Sequence, residues 1–95
     1  MSDGVPPVVK LYGRPGCHLC EEVRADLTLI AAEGVKFELE EINIEADEGL
    51  HRAYLERIPV VEIDGSEIGE LDIPRVLLRA ALERAASMAT DDSNG

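Results

Sequence analysis

The apolar run Val8-Val9-Lys10-Leu11-Tyr12 gives way at once to Gly13-Arg14-Pro15-Gly16 and then to Cys17-His18-Leu19-Cys20. A short apolar run bounded by turn residues reads as a strand buried on both faces. Gly13, Pro15 and Gly16 break that strand and turn the chain. From about Cys17 to Glu33, the residues Cys20, Val23, Leu27, Ile30 and Ala31 recur at steps of three and four, the spacing of one helix face. Gly34 is a natural stop for that helix. The two thiols therefore sit where a strand meets a helix N-terminus. Cys20 falls on the inward face, and Cys17, at the very end, faces solvent.

The rest of the chain continues the alternation. Lys36 to Ile44 reads as a strand in which Phe37 and Leu39 alternate with glutamates before the apolar phase shifts to Ile42 and Ile44. That shift predicts an end or a bulge near Glu41. Strand, helix and strand joined by a long crossover form a βαβ unit, expected to be parallel and right-handed. Ala46 to Glu56 reads as a short helix with Leu50 and Tyr54 inward. Ile58 to Ile63 is a strand opening on Pro59, Asp64-Gly65 is a hairpin turn, and Ser66 to Gly69 returns antiparallel. Asp72 is a candidate N-cap for a last helix, with Pro74 in its first turn. Ile73, Val76, Leu77, Ala80 and Ala81 would form the buried face of that helix. The order is β-α-β-α-β-β-α in a single α/β domain over residues 8–86, with a loose leader at 1–7 and a polar, frayed tail at 87–95.

Charge narrows the partners. A formal net charge of -11 repels phosphate backbones and acidic membrane surfaces, so no nucleic acid and no membrane partner is expected. No stretch approaches the roughly 20 apolar residues of a membrane helix. Met1 to Pro7 has neither the basic nor the apolar segment of a secretory signal, which points to the cytoplasm. In that compartment a purely structural disulfide is improbable, and a C-x-x-C beside β-α-β patterning indicates a redox pair or a metal site. Zinc within one chain wants four ligands, and the only candidates besides the two cysteines are His18 and His51. No metal site is assigned.

Cys17 is the candidate nucleophile and Cys20 the resolving thiol, which attacks the mixed disulfide on Cys17 and releases reduced substrate. The helix N-terminus, Arg14 and a protonated His18 lower a thiol from about 8.5 toward roughly 5–7. Glu21 and Glu22, one turn on, act in the opposite sense. A stabilised thiolate makes the disulfide more oxidising, so Arg14 and His18 are candidate redox-tuning residues.

Three segments carry a family resemblance. Val9-Lys10-Leu11-Tyr12-Gly13-Arg14-Pro15-Gly16-Cys17-His18-Leu19-Cys20 resembles the active-site strand and loop of glutaredoxins. Arg57-Ile58-Pro59-Val60-Val61-Glu62-Ile63-Asp64-Gly65 resembles their cis-proline segment. Ile68-Gly69-Glu70-Leu71-Asp72 stands where they carry a Gly-Gly and acidic motif. The resemblance spans 8–86 and is strongest toward a bacterial glutaredoxin-like branch with Cys-His-Leu-Cys.

It implies the glutaredoxin version of the thioredoxin-like fold: three layers, α/β/α, around a four-stranded mixed sheet. It implies a thiol–disulfide oxidoreductase without a bound cofactor, using glutathione or another low-molecular-weight thiol as co-substrate. Substrate proteins and a flavin-dependent reductase are the implied partners, and the implied state is a monomer. A cis bond at Pro59 would leave the Ile58 backbone groups for an extended substrate. Gly69 and Asp72 would help hold it, and Arg14 occupies the place of a lysine that pairs with a glutathione carboxylate. Glu70, in place of the second glycine, departs from the pattern and should hinder an anionic tripeptide. The alternative within the same resemblance is a module that carries an iron–sulfur cluster shared between chains.

Overall fold

The computed structural model describes residues 5–92, with side chains as far as Ala86. Strand β1 (Val8–Gly13) leads into helix α1 (His18–Ala32), strand β2 (Glu38–Asn43), a 3₁₀ turn (Ile44–Ala46), helix α2 (Glu48–Tyr54), the hairpin β3 (Val60–Ile63) and β4 (Ser66–Glu70), and helix α3 (Arg75–Asp92). The sheet order is β2-β1-β3-β4. β1 and β2 are parallel, and the other two pairs are antiparallel. This is the expected β-α-β-α-β-β-α mixed sheet. Among the described residues no helix is long and apolar enough to cross a membrane.

Both faces of the sheet are covered, and each has its own core. On one side Val9, Leu11, Val61 and Ile63 pack with Val23, Leu27 and Ile30 of α1 and with Ile73, Leu78 and Leu82. On the other, Tyr12, Ile44, Ile58, Val60 and Cys20 form a second buried cluster, joined by Cys17, Ile42, Leu50 and Tyr54. Alternate residues of one strand feed opposite faces. That explains the shift of apolar phase in β2 without a bulge at Glu41. The strand pairs in unbroken register from Val8↔Glu38 to Gly13↔Asn43, and Ile42 serves the α2 side.

The only irregularity between β3 and β4 is one that the sequence does not announce. Val61 pairs with Gly69 but Glu62 pairs with Glu67, so Ile68 is an extra residue in β4. The turn before it is as expected: Asp64 and Gly65 both have positive φ (50° and 87°), the backbone of a type I′ hairpin. Asp64 also accepts a hydrogen bond from the Val8 N–H (2.9 Å), tying the hairpin to the start of β1.

Helix α3 departs from expectation in phase and in both ends. The first helical bonds run from the Leu77 and Leu78 N–H groups to the Pro74 carbonyl, so Pro74 takes the cap position and Asp72 lies exposed two residues before it. Val76 is 74% exposed and Leu77 42%, whereas Leu78 and Leu82 are fully buried; Ala80 is exposed, and Ala31 of α1 also stays outside the core. Val76, Leu77, Leu78, Ala80, Ala81 and Leu82 are all apolar, so two stripes at helical spacing coexist. The 75-78-79-82 side faces α1, where Arg75 approaches Asp26 (3.9 Å) and Arg79 pairs with Glu33 (2.8 Å). Ile73 and Ala81 keep their expected places on the core, and Leu78, Leu82 and Ala85 complete it in place of Val76, Leu77 and Ala80. The helix also continues to Asp92, beyond Ser87 where a polar tail is expected, because Ala85, Ala86, Met88 and Ala89 are good helix formers. The rest of that tail, 93–95, and most of the leader, 1–4, lie outside the described residues.

Candidate active site

Cys17 and Cys20 form a disulfide with Cα atoms 5.2 Å apart. Cys17 is the N-cap residue of α1. Its backbone is extended, and its Sγ accepts a hydrogen bond from the Cys20 N–H at 3.1 Å. The Arg14 carbonyl accepts from the Cys17 N–H (3.2 Å), so the turn holds the first cysteine at the helix end. Sγ of Cys17 thus occupies the acceptor position normally filled by a serine or aspartate oxygen. A backbone donor and the positive end of a helix both favour negative charge there. Cys20 is 4% exposed, as the helix phase predicts, whereas Cys17, expected to face solvent, is half-buried against the second core.

Gly13 is part of this site, which the sequence reading treats only as a breaker. A Cβ on Gly13 would lie 2.8 Å from Cys20 Sγ. The end of β1 must therefore lack a side chain for the second sulfur to fit. Seven positions separate the two residues, and no local pattern connects them.

The redox-tuning candidates lie at the surface in carboxylate pairs. Arg14 approaches Glu45 at 3.8 Å, and His18 Nε2 meets Glu22 at 3.0 Å with its side chain 83% exposed. The Arg14 charge is thereby partly offset. The helix terminus and the Cys20 N–H are the influences that act directly on Cys17 Sγ. Beside Cys20, on the flank away from the proline loop, a cavity of about 330 Å³ is lined by Gly13, Arg14, Arg24, Glu41 and Asn43 among others. Arg24 donates through Nε to one Glu41 oxygen (2.9 Å), and its Nη2 lies 2.7 Å from the same oxygen, along the cavity wall.

Across the second core lies the proline loop. The Ile58–Pro59 bond is cis, Pro59 is fully buried, and Ile58 packs in the cluster that holds both cysteines. The expectation that both Ile58 backbone groups are free needs correction. Its N–H donates to the Tyr54 carbonyl at 3.1 Å, because the chain leaves α2 through one further turn, and this leaves its carbonyl as the candidate substrate contact. The Gly69–Asp72 segment is fastened to this loop: the Leu71 N–H donates to the carbonyls of Pro59 (2.8 Å) and Arg57 (3.2 Å). Leu71 has φ of +64°, a left-handed conformation that costs a leucine about 1–2 kcal/mol. Those two hydrogen bonds hold it there. Gly69 is half-buried, and a Cβ on it would stand 3.3 Å from Ile73. Asp72 is exposed.

Glu70 does not stand as a bare charge. Arg57 donates through Nε to Glu70 (2.7 Å) and through Nη2 to Glu67. In a regular strand, residues 67 and 70 would face opposite ways. The extra residue Ile68 brings both carboxylates to the side that Arg57 can reach. The Arg57 guanidinium also lies 5.1 Å over the Tyr54 ring, which stacks on Tyr12 at 4.8 Å. These two hydrogen-bonded carboxylates, Glu67 first, hold Arg57 protonated beyond the ordinary arginine range.

Tyr12 completes this chain of contacts. It is 8% exposed, packs beside Cys20, and donates its hydroxyl to Glu62 at 3.3 Å. Burial, and then the Glu62 charge, raise its phenol above the ordinary value of 10.0. A folded-state value above the unfolded one contributes stability that is intact below about pH 10 and is lost as pH rises through the folded value. Tyr12→Phe should therefore flatten the alkaline fall in stability, measured by urea unfolding at pH 8 to 11. An unchanged alkaline slope would show that the phenol does not resist ionisation in the fold.

Among the described residues no three or more His, Cys, Asp or Glu side chains are grouped so as to hold a metal ion.

Comparison with known proteins agrees with this geometry. Residues 8–85 match the model of the glutaredoxin-like domain (DUF836). Uncharacterised proteins of Mycobacterium bovis and Mycobacterium tuberculosis are 30% identical over 84 residues, covering 83% of this chain and 86% of theirs. A Nitrosomonas europaea protein solved by NMR superposes with a TM-score of 0.69 at 38% identity, over 81% of this chain and 92% of that one. An X. campestris protein solved by X-ray gives 0.64 at 30% identity, over 80% and 96%. A Halobacterium salinarum thioredoxin, at 18% identity and 0.62, covers 84% of this chain and 74% of its own, and shares the fold.

Proposed function

Because this chain belongs to the glutaredoxin-like domain family, we propose that it is a dithiol–disulfide oxidoreductase. The observation that carries the reading is the Cys17–Cys20 disulfide at the start of α1, with a backbone donor on the more exposed sulfur. In the reducing direction the Cys17 thiolate attacks one sulfur of a substrate disulfide. A Cys17–substrate disulfide forms, and the other substrate sulfur leaves as a thiolate and takes up a proton. Cys20 then loses its proton and attacks Cys17 Sγ. The second substrate thiolate departs, and the Cys17–Cys20 disulfide closes. The substrate gains two electrons and the protein loses two.

The half-buried position of Cys17 and the burial of Cys20 support this division of labour. Cis-Pro59 and the Ile58 carbonyl offer a backbone edge in the cluster that also holds the cysteines, and the Gly69–Asp72 segment is tied to that loop through Leu71. Reductant comes from glutathione or another small thiol, or from a flavin-dependent reductase, and the substrates are protein disulfides in a reducing compartment such as the cytoplasm.

The test is thiol trapping of the purified protein across glutathione redox buffers, read by mass spectrometry. A reversible two-electron transition at about -180 to -270 mV is expected. Thiols that never pair, or a disulfide that never opens, would remove the oxidoreductase reading.

A further inference from the structure

Resting on that reading, we infer that the groove beside cis-Pro59 selects substrates by charge, with Arg57 setting the selection, and takes neutral and cationic disulfides ahead of anionic ones. Glu70 ends β4 directly opposite Val60, the residue after Pro59, and Leu71 is hydrogen-bonded back to Pro59 itself. The Glu70 carboxylate therefore belongs to the groove wall. Arg57 neutralises it only in part, since one guanidinium is shared between Glu70 and Glu67. The cluster keeps an excess carboxylate. Asp72 stands exposed beyond it.

On the cysteine side the arginines beside Cys20 are also engaged: Arg14 with Glu45 and Arg24 with Glu41. Glu21, in the first turn of α1, adds to the field, and the whole chain carries -11. Such a surface attracts a cationic disulfide and repels glutathione disulfide, which is a net anion at neutral pH. Arg57 is a positioning residue here. It does not touch the reacting sulfurs, but it decides how much of the Glu67 and Glu70 charge a substrate meets.

The experiment measures kcat/KM for three disulfides of different charge: cystamine (cationic), hydroxyethyl disulfide (neutral) and glutathione disulfide (anionic). The unaltered protein should prefer them in that order, and added salt should narrow the cystamine-to-glutathione ratio. Arg57→Gln should widen that ratio about 5-fold, Glu70→Gln should narrow it about as much, and Arg57→Lys should leave it near the starting value. A purely structural role for Arg57 would slow all three substrates together and leave the ratio unmoved, which would overturn the inference. So would a preference for glutathione disulfide in the unaltered protein. Should Arg57→Gln fold poorly, Glu70→Gln and the salt dependence decide alone. Exchange absent with all three, hydroxyethyl disulfide included, would instead bring down the oxidoreductase reading and this inference with it.

Discussion

Cys17→Ser should lower disulfide exchange to below about a thousandth, because the attacking sulfur is gone and a hydroxyl at neutral pH is no substitute. The fold should survive the change. Cys17 is the N-cap of α1, and a serine oxygen would accept the same Cys20 N–H, since serine is among the preferred cap residues. Loss of activity in this variant is therefore a loss of chemistry. Cys20→Ser keeps the nucleophile but lacks the group that resolves the mixed disulfide. It should accumulate a Cys17 adduct when offered a disulfide, visible as a mass increase that dithiothreitol removes. Equal residual activity in the two variants would contradict the assignment of roles. An adduct on Cys20 in Cys17→Ser, with none on Cys17 in the reverse variant, would exchange them.

Leu78→Ala should cost about 3 kcal/mol of stability, while Val76→Ala should stay within about 0.5 kcal/mol. Leu78 is completely buried among Ile73, Leu82, α1 and the sheet, and the cavity left by truncation has rigid neighbours on every side. Val76, two residues earlier, is 74% exposed. In a domain of this size the leucine change should lower Tm by roughly 12–24 °C, and urea unfolding would measure both variants on one scale. If Val76→Ala cost as much as Leu78→Ala, the rotation of α3 described above would be wrong.

That pair of variants also marks where the sequence stops being readable. In α1 the charges at Glu21, Glu22, Arg24 and Asp26 leave one face for the core; Cys20, Val23, Leu27 and Ile30 are buried as the spacing requires, and of the expected face only Ala31 stays outside. In α3 the apolar residues are crowded, and two faces satisfy the same period. Packing of Leu78 and Leu82 with α1 and the sheet, residues distant in the chain, breaks the tie. Strand β2 gives a related lesson. A change of apolar phase resembles a bulge when a single core is assumed, and is simple alternation when both faces of the sheet are covered.

The site divides along the same line. The position of the candidate site was legible because it rests on short-range rules: two thiols three apart, a turn before them, a helix after them, and a proline-led strand followed by a type I′ turn. The surroundings of those residues were not, since they depend on which distant segments the sheet brings side by side. Only the tertiary structure places Gly13 under Cys20 Sγ, gives the Ile58 N–H to Tyr54, and lets one extra residue at Ile68 present Glu67 and Glu70 together to Arg57. Backbone periodicity and turn chemistry are local energies, already present in the chain. Close approach and charge pairing between segments arise only after strand order, register and helix rotation have been decided.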